Sequence, residues 1–195
     1  MGSDKALLPW PPARELTHSK ETFLSAAIRS LAHSTDFVLI VAGKNATALE
    51  PIAYANGASI VTNPDPGQGQ FSSLRVGLRE VLNHGRDAAV ITLVDRPPAT
   101  ASTVQLLRNA FDSAPQNVWA VVPEFSGKHG HPFLAGRELM EAFLHAAPTS
   151  TAREVEHAHQ NHIQYVAVND QFVVLNINTP EDYAALMARP DTRDR

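Results

Sequence analysis

The chain has 195 residues, 44% hydrophobic and 18% charged, with a formal net charge of −4 and no cysteine. That is enough chain for one domain with a sizeable core, and the composition argues against intrinsic disorder. It excludes disulfide and thiolate chemistry and offers neither the basic footprint of a nucleic-acid binder nor an apolar run long enough to cross a bilayer.

Residues 1–16 read as loop, because Gly2, Ser3, Pro9, Pro11 and Pro12 interrupt any regular element. The opening residues have neither the basic end nor the apolar core of a signal peptide, so a soluble cytoplasmic protein is expected. Ser19 is placed to cap a helix over 20–32, with Phe23, Leu24, Ala27, Ile28 and Leu31 on one face. A buried-type strand over 37–41 follows, then a short helix over 46–54 stopped by Asn56-Gly57, then a strand over 58–62. The turn-rich loop 63–70 leads into an amphipathic helix over 71–82. The apolar run 88–94 has the length and β-branching of a fully buried strand, and it stops at Asp95. Thr100 is placed to cap the next helix, over 102–112.

A strand over 118–122 is expected to end at Pro123, before a polar Gly-containing loop over 124–132. Short helices over 137–144 and 152–159 follow, then strands over 164–168 and 172–175 around Asn169-Asp170. The last helix starts clearly: Thr179 as N-cap, Pro180 at its first position, then Glu181 and Asp182 favourable to the helix dipole. Residues 190–195 read as a frayed charged tail. Alternating strands and helices imply one α/β domain over 1–195, a Rossmann-like three-layer α/β/α sandwich with a mostly parallel sheet.

Several loops next to strand or helix ends carry polar residues suited to chemistry. Asp95 lies where a strand gives way to a loop, the place where open α/β sheets bind ligands; the alternative is that it only caps the turn before Pro97. Lys5 close to Gly2 suits phosphate binding, or is simply solvated. In 63–73 the glycines allow close approach of a ligand, and Ser72 and Ser73 at a helix start can donate hydrogen bonds; the alternative is an ordinary capped helix. Asn176 and Asn178 either help bind Mg²⁺ beside a carboxylate or shape the turn. His131, in Gly130-His131-Pro132, either contacts substrate or braces its loop. The nine histidines are otherwise scattered. His129/His131 and His157/His159 lack an acidic or Cys partner at metal spacing, so most histidines are expected at the surface.

Together these loops resemble, in order and over nearly the whole chain, the nucleotidyltransferases that attach a nucleotide to the molybdenum cofactor. Met1-Gly2, Lys5 and Leu7-Leu8-Pro9-Trp10 are similar to the end of that family's N-terminal signature. Asn63 with Gly69-Gln70-Phe71-Ser72-Ser73-Leu74-Arg75 resembles its segment near base and ribose. Val94-Asp95-Arg96-Pro97 resembles its Asp-x-Pro metal site, and Gly130-His131-Pro132 a loop of the cytidylyl branch. Asn176-Ile177-Asn178-Thr179-Pro180 resembles its C-terminal motif, in the Asn form familiar from the guanylyl branch rather than the Asp-x-Asp of the cytidylyl branch.

The resemblance implies a Mg²⁺-dependent transfer of CMP from CTP to the phosphate of the molybdenum-pterin cofactor, with a molybdoenzyme as downstream partner. Lys5 and Asp95 would be catalytic, and Asp95 and Asn178 metal ligands. Gly2, Asn63, Gly69, Ser72, Ser73, Arg75 and His131 would bind nucleotide or acceptor. The rivals are a guanylyl- or sugar-phosphate nucleotidyltransferase, and an inactive nucleotide-binding remnant. The sequence starts at the Met-Gly of the signature, so the expectation is a domain truncated at its N-terminus, with Met1 an internal methionine.

Overall fold

The computed structural model describes residues 4–10 and 21–188. Ser19 and Gly2 lie outside the described residues. A 3-10 turn, Lys5–Leu7, precedes α1 (Phe23–Ala32). Thr22 closes a capping box on α1, accepting from the Ser25 N–H at 3.1 Å while Ser25 Oγ accepts from the Thr22 N–H at 2.8 Å. Next come β1 (Leu39–Ala42), α2 (Ala46–Ala55), β2 (Ser59–Thr62) and α3 (Gln70–Asn83). β3 (Ala88–Ile91) leads to α4 (Ala101–Asp112), capped by Thr100. Then follow β4 (Ala120–Phe125), β5 (Lys128–His129), β6 (Phe133–Gly136), α5 (Arg137–His145) and α6 (Ala152–Ala158). β7 (Ile163–Ala167) and α7 (Pro180–Met187) are the last strand and helix among the described residues.

The strands form a parallel β1–β2 pair and a second sheet in the order β3-β6-β4-β5, with β7 also on β4. Only β1–β2 and β4–β7 run parallel; β3–β6, β4–β6 and β4–β5 are antiparallel, so the sheet expected to be mostly parallel is mixed. The reason lies in 124–136. Instead of a plain loop, Ser126 (φ 50°) and Gly127 (φ 73°) make a tight turn that folds β5 back on β4. The chain then returns along β4 as β6, with no room for a crossover helix. β6 itself has only four residues and no β-branched side chain, which hid it in the sequence.

Other boundaries moved for local reasons. β4 runs through Pro123, because pairing with β6 stops at Val121 and pairing with β5 begins at Glu124, so the missing N–H falls between two ladders. β3 ends at Ile91, where its pairing with β6 ends, and it is partly exposed rather than fully buried. Residues 172–175 are not a strand. Asp170 accepts from the Phe172 N–H at 3.0 Å and winds the segment into a 3-10 turn, Gln171–Val174.

Alternation along the larger sheet shows how it is covered. Ala89, Ile91, Ala120, Phe133 and Ala135 face α3 and α5, packing on Phe71, Leu78, Leu139, Met140 and Phe143. Val90, Val121 and Leu134 face the other way, onto Leu107 of α4. In the smaller sheet, Ile40, Ala42 and Ile60 pack with α1 and α2, whereas Val41 faces α3. There Gly77 is required by contact: a Cβ on it would lie 2.9 Å from Val41 Cγ2. Both sheets therefore carry helices on both faces, and the loops beyond the strands are left to build a site.

Candidate active site

Asp95 follows β3, and its backbone C=O accepts from the Ile177 N–H at 2.9 Å. One hydrogen bond thus joins the Asp95 turn to the Asn176–Asn178 segment, 82 positions further along the chain by residue number. Asp95 Oδ1 is buried and has no hydrogen-bond partner among the described residues. Asn178 is exposed. Its N–H and that of Thr179 each donate to Asp182 Oδ2 at 2.9 Å. Those two backbone donors, with a smaller contribution from the Lys5 charge, hold the Asp182 carboxyl below its ordinary value. The ammonium of Lys5 therefore faces the start of α7, where Asp182 sits. On its other side the Lys5–Leu7 turn is anchored by Asp4, whose Oδ2 accepts from Asn45 Nδ2 at 2.6 Å.

His131 comes to the same place by a different route. Its N–H donates to the Val173 carbonyl at 2.8 Å, and Arg96 Nη1 donates to that same oxygen at 3.2 Å. The approach is so close that a Cβ on Gly130 would lie 1.9 Å from the Val173 oxygen, so only glycine fits. The imidazole stacks edge-on against Phe133 at 5.4 Å. Burial, and then the Arg96 charge, push its pKa from 6.5 down to about 4, so the ring is neutral at neutral pH. Burial likewise lowers Arg96, with Asp95 opposing.

Asp95 Oδ1, Arg96 Nε and His131 Nδ1 are the buried side-chain polar atoms that lack a partner among the described residues. Buried polar atoms are normally paired, so three orphans tied to a common set of loops mark a place prepared for something else. Asp95 and Asn178 offer a carboxylate oxygen and an amide oxygen. Those are hard donors that suit Mg²⁺ or Mn²⁺ and leave positions for phosphate oxygens and water.

A second group forms around Asn63. Its N–H donates to the Ala42 carbonyl at 2.8 Å, its Nδ2 donates to Ser72 Oγ at 2.8 Å and Ser73 Oγ at 3.0 Å, and its Oδ1 accepts from the Asp65 N–H at 3.0 Å. Ser72 Oγ donates to the Gly69 carbonyl at 2.8 Å. Gly69, at φ 88°, precedes α3 and provides no side-chain cap; its carbonyl accepts from the Ser72 N–H at 3.2 Å, which leaves the Gln70 and Phe71 N–H groups of the first turn for an anion. Arg75 points elsewhere: its Nη2 donates to the Leu144 carbonyl at 3.0 Å, tying α3 to the end of α5.

Sequence reasoning passed over Arg96 as an individual residue, as well as Asp170 and the Val173 carbonyl. Arg96 had a signal in its position next to Asp95. Asp170 looked like a turn residue, yet it is buried, and its Oδ2 accepts from the Thr100 N–H and from Thr103 Oγ1, each at 2.9 Å. The Val173 carbonyl is a main-chain group with no trace in residue type.

The fold is shared with solved structures of other proteins. Rv0371c from Mycobacterium tuberculosis H37Rv is 23% identical with a TM-score of 0.78, covering 97% of this chain and 91% of its own; its manganese complex is 22% identical at 0.72, covering 94% and 90%. A cytidylyltransferase from Leptospira borgpetersenii is 18% identical at 0.67, covering 94% of this chain and 78% of its own. Molybdopterin-guanine dinucleotide biosynthesis protein A from Archaeoglobus fulgidus is 14% identical at 0.65, covering 95% and 90%. No curated protein sequence matches the chain. The family model of the MobA-like NTP transferase domain matches residues 1–163, and the chain belongs to that family of nucleotidyltransferases.

Proposed function

We propose that residues 1–195 form one nucleotidyltransferase domain that transfers CMP from CTP to the phosphate of the molybdenum-pterin cofactor. An acceptor phosphate oxygen attacks the α-phosphorus, the α–β phosphoanhydride bond breaks, and pyrophosphate leaves. The acceptor is already an anion, so no strong base is needed, and catalysis is positioning plus neutralisation of charge. The observation that carries this reading is the Ile177-to-Asp95 hydrogen bond beside the unpaired Asp95 Oδ1.

In this reading Asp95 and Asn178 hold Mg²⁺, which when bound offsets charge on the phosphates. Lys5 steadies the phosphates. Gly2, Gly69, Ser72 and Ser73 hold the nucleotide, with Asn63 bracing the two serines. Arg75 keeps the helix α3 in place through Leu144, and His131 faces the acceptor. The manganese complex of Rv0371c supports a divalent cation. The likeness to a cytidylyltransferase, with Gly130-His131-Pro132, supports CTP. Asn176-Ile177-Asn178 and the likeness to the Archaeoglobus protein support GTP as the second reading. The cytoplasm is the proposed compartment and a molybdoenzyme the proposed recipient. Among the described residues no helix is long and apolar enough to cross a membrane.

Isothermal titration with CTP and GTP, with and without Mg²⁺, tests the reading. Mg²⁺-dependent binding with CTP the tighter ligand is expected. GTP binding tenfold tighter, about 1.4 kcal/mol, would move the assignment to guanylyl transfer. Absence of binding by either would end it.

A further inference from the structure

Arg96 is the half-buried cation in the cluster around Asp95. Nη1 donates to the Val173 carbonyl at 3.2 Å. Nε is buried with no partner. Among the described residues Nη2 has no hydrogen-bond partner either, and it is not one of the buried orphans, so it reaches the surface. The guanidinium forms no ion pair with a described carboxylate, although Asp95 is the preceding residue. An arginine that served only to brace Val173 would need one nitrogen. This one is gripped by one nitrogen, which aims the ring of donors, and leaves the opposite Nε–Nη2 edge unsatisfied.

That edge carries two parallel N–H groups, the geometry that matches two oxygens of a phosphate or carboxylate. Asp95 precedes Arg96 in the chain and its charge acts on the guanidinium, and a carboxylate there favours a cation and not an anion. A phosphoryl group carries enough negative charge to satisfy the Arg96 edge and also to offset a cation that Asp95 would hold. A carboxylate ligand has less charge with which to do so.

We propose that Arg96 binds a phosphoryl group at the Asp95 turn through its Nε–Nη2 edge, with Nη1 held on Val173 to orient it. This rests on the reading that phosphates are brought to Asp95. The group comes either from the nucleoside triphosphate or from a phosphate monoester acceptor, and the probes below separate these sources.

The test uses the full chain. First, the Arg96 Nε–H resonance is followed by NMR during addition of CTP–Mg²⁺, pyrophosphate, phenyl phosphate and, as control, cytidine. The phosphoryl probes are expected to shift it and cytidine is not; a resonance unmoved by every phosphoryl probe overturns the proposal. Second, Kd is measured for Arg96→Gln and Arg96→Lys. Gln is expected to weaken at least one phosphoryl probe tenfold or more. Lys is expected to recover only part of the loss, since a point charge lacks the fork. A purely structural Arg96 would lower the melting temperature of Arg96→Gln and leave phosphoryl affinity of the folded protein unchanged, which also overturns the proposal. Loss confined to CTP and pyrophosphate assigns the group to the triphosphate; loss confined to phenyl phosphate assigns it to the acceptor. A wild-type protein that takes phosphoryl probes through Arg96 but never CTP or GTP would keep this inference and remove the nucleotidyl reading. Tight CTP–Mg²⁺ binding with an indifferent Arg96 does the reverse.

Discussion

At the residue scale the protein's chemistry concentrates in atoms left without partners. Asp95 Oδ1 is a buried acceptor with nothing to accept among the described residues, a state it shares with Arg96 Nε and His131 Nδ1. If it holds the metal, Asp95→Asn removes the charged ligand while keeping the shape. The expected loss in kcat is about a hundredfold, about 2.7 kcal/mol, with an unchanged melting temperature. Unchanged turnover at saturating Mg²⁺ would remove Asp95 from the mechanism. Asn178→Ala should cost less, because water can replace a neutral ligand. His131 makes a prediction about acid. Its pKa is about 4 in the folded protein against 6.5 when free, so the unfolded chain binds the extra proton first as pH falls. The stability contributed by the neutral, buried ring is therefore fully present above about pH 6.5 and is lost progressively down to about pH 4. The loss is on the order of 3 kcal/mol. Denaturant titrations of wild type and His131→Gln across that window check this. Parallel pH profiles for the two proteins would show that the ring is not the group responsible.

At the element scale, Asp170 links three pieces. Its carboxylate takes the Thr100 N–H at the start of α4, the Thr103 hydroxyl, and the Phe172 N–H that starts the last 3-10 turn. Thr100 also caps α4 itself, accepting from the Thr103 N–H at 3.2 Å. Asp170→Ala strands those donors in a buried setting, at roughly 3 kcal/mol in total. It should also loosen the turn that presents the Val173 carbonyl to His131 and Arg96. Urea unfolding reads the first effect, and weaker CTP–Mg²⁺ binding by the folded protein reads the second. A stability change under about 0.5 kcal/mol would mean the carboxylate is dispensable. Most helices were legible from capping and periodicity, because those signals act within a turn or two. Thr100 and Thr179 cap as their sequence contexts imply. The failures were elements defined by partners: β6, read as nothing, and 172–175, read as a strand.

At the scale of the whole molecule, the two sheets carry helices on both faces and the loops converge beyond them. Binding that requires this assembly must stabilise it. At a hundred times its Kd, a ligand specific to the folded state adds about 2.7 kcal/mol. For a chain of this size that corresponds to about 5–10 °C in melting temperature. CTP with Mg²⁺ should give such a shift, GTP with Mg²⁺ a smaller one, and either nucleotide with chelator little. Equal shifts with and without Mg²⁺ would separate nucleotide binding from the Asp95–Asn178 pair.

What the sequence determined by itself was the α/β pattern, most helix starts and the identity of the polar loops; α1 is the exception, starting at Phe23 under Thr22 rather than at residue 20 under Ser19. Those depend on residue type, spacing and short-range capping. It also marked Asp95, His131 and Asn178 as candidates. Tertiary structure alone decided that the Asp95 turn lies against the segment carrying Asn178, since the Ile177 N–H reaches the Asp95 carbonyl across the fold. It decided that the sheet is mixed, because strand direction follows from the length of the connection and from which strand is already beside it. It decided, too, that Asn63 and the two serines bind one another, while Arg75 turns to Leu144. And it singled out Arg96, because an unsatisfied nitrogen is a property of surroundings that no single residue carries with it.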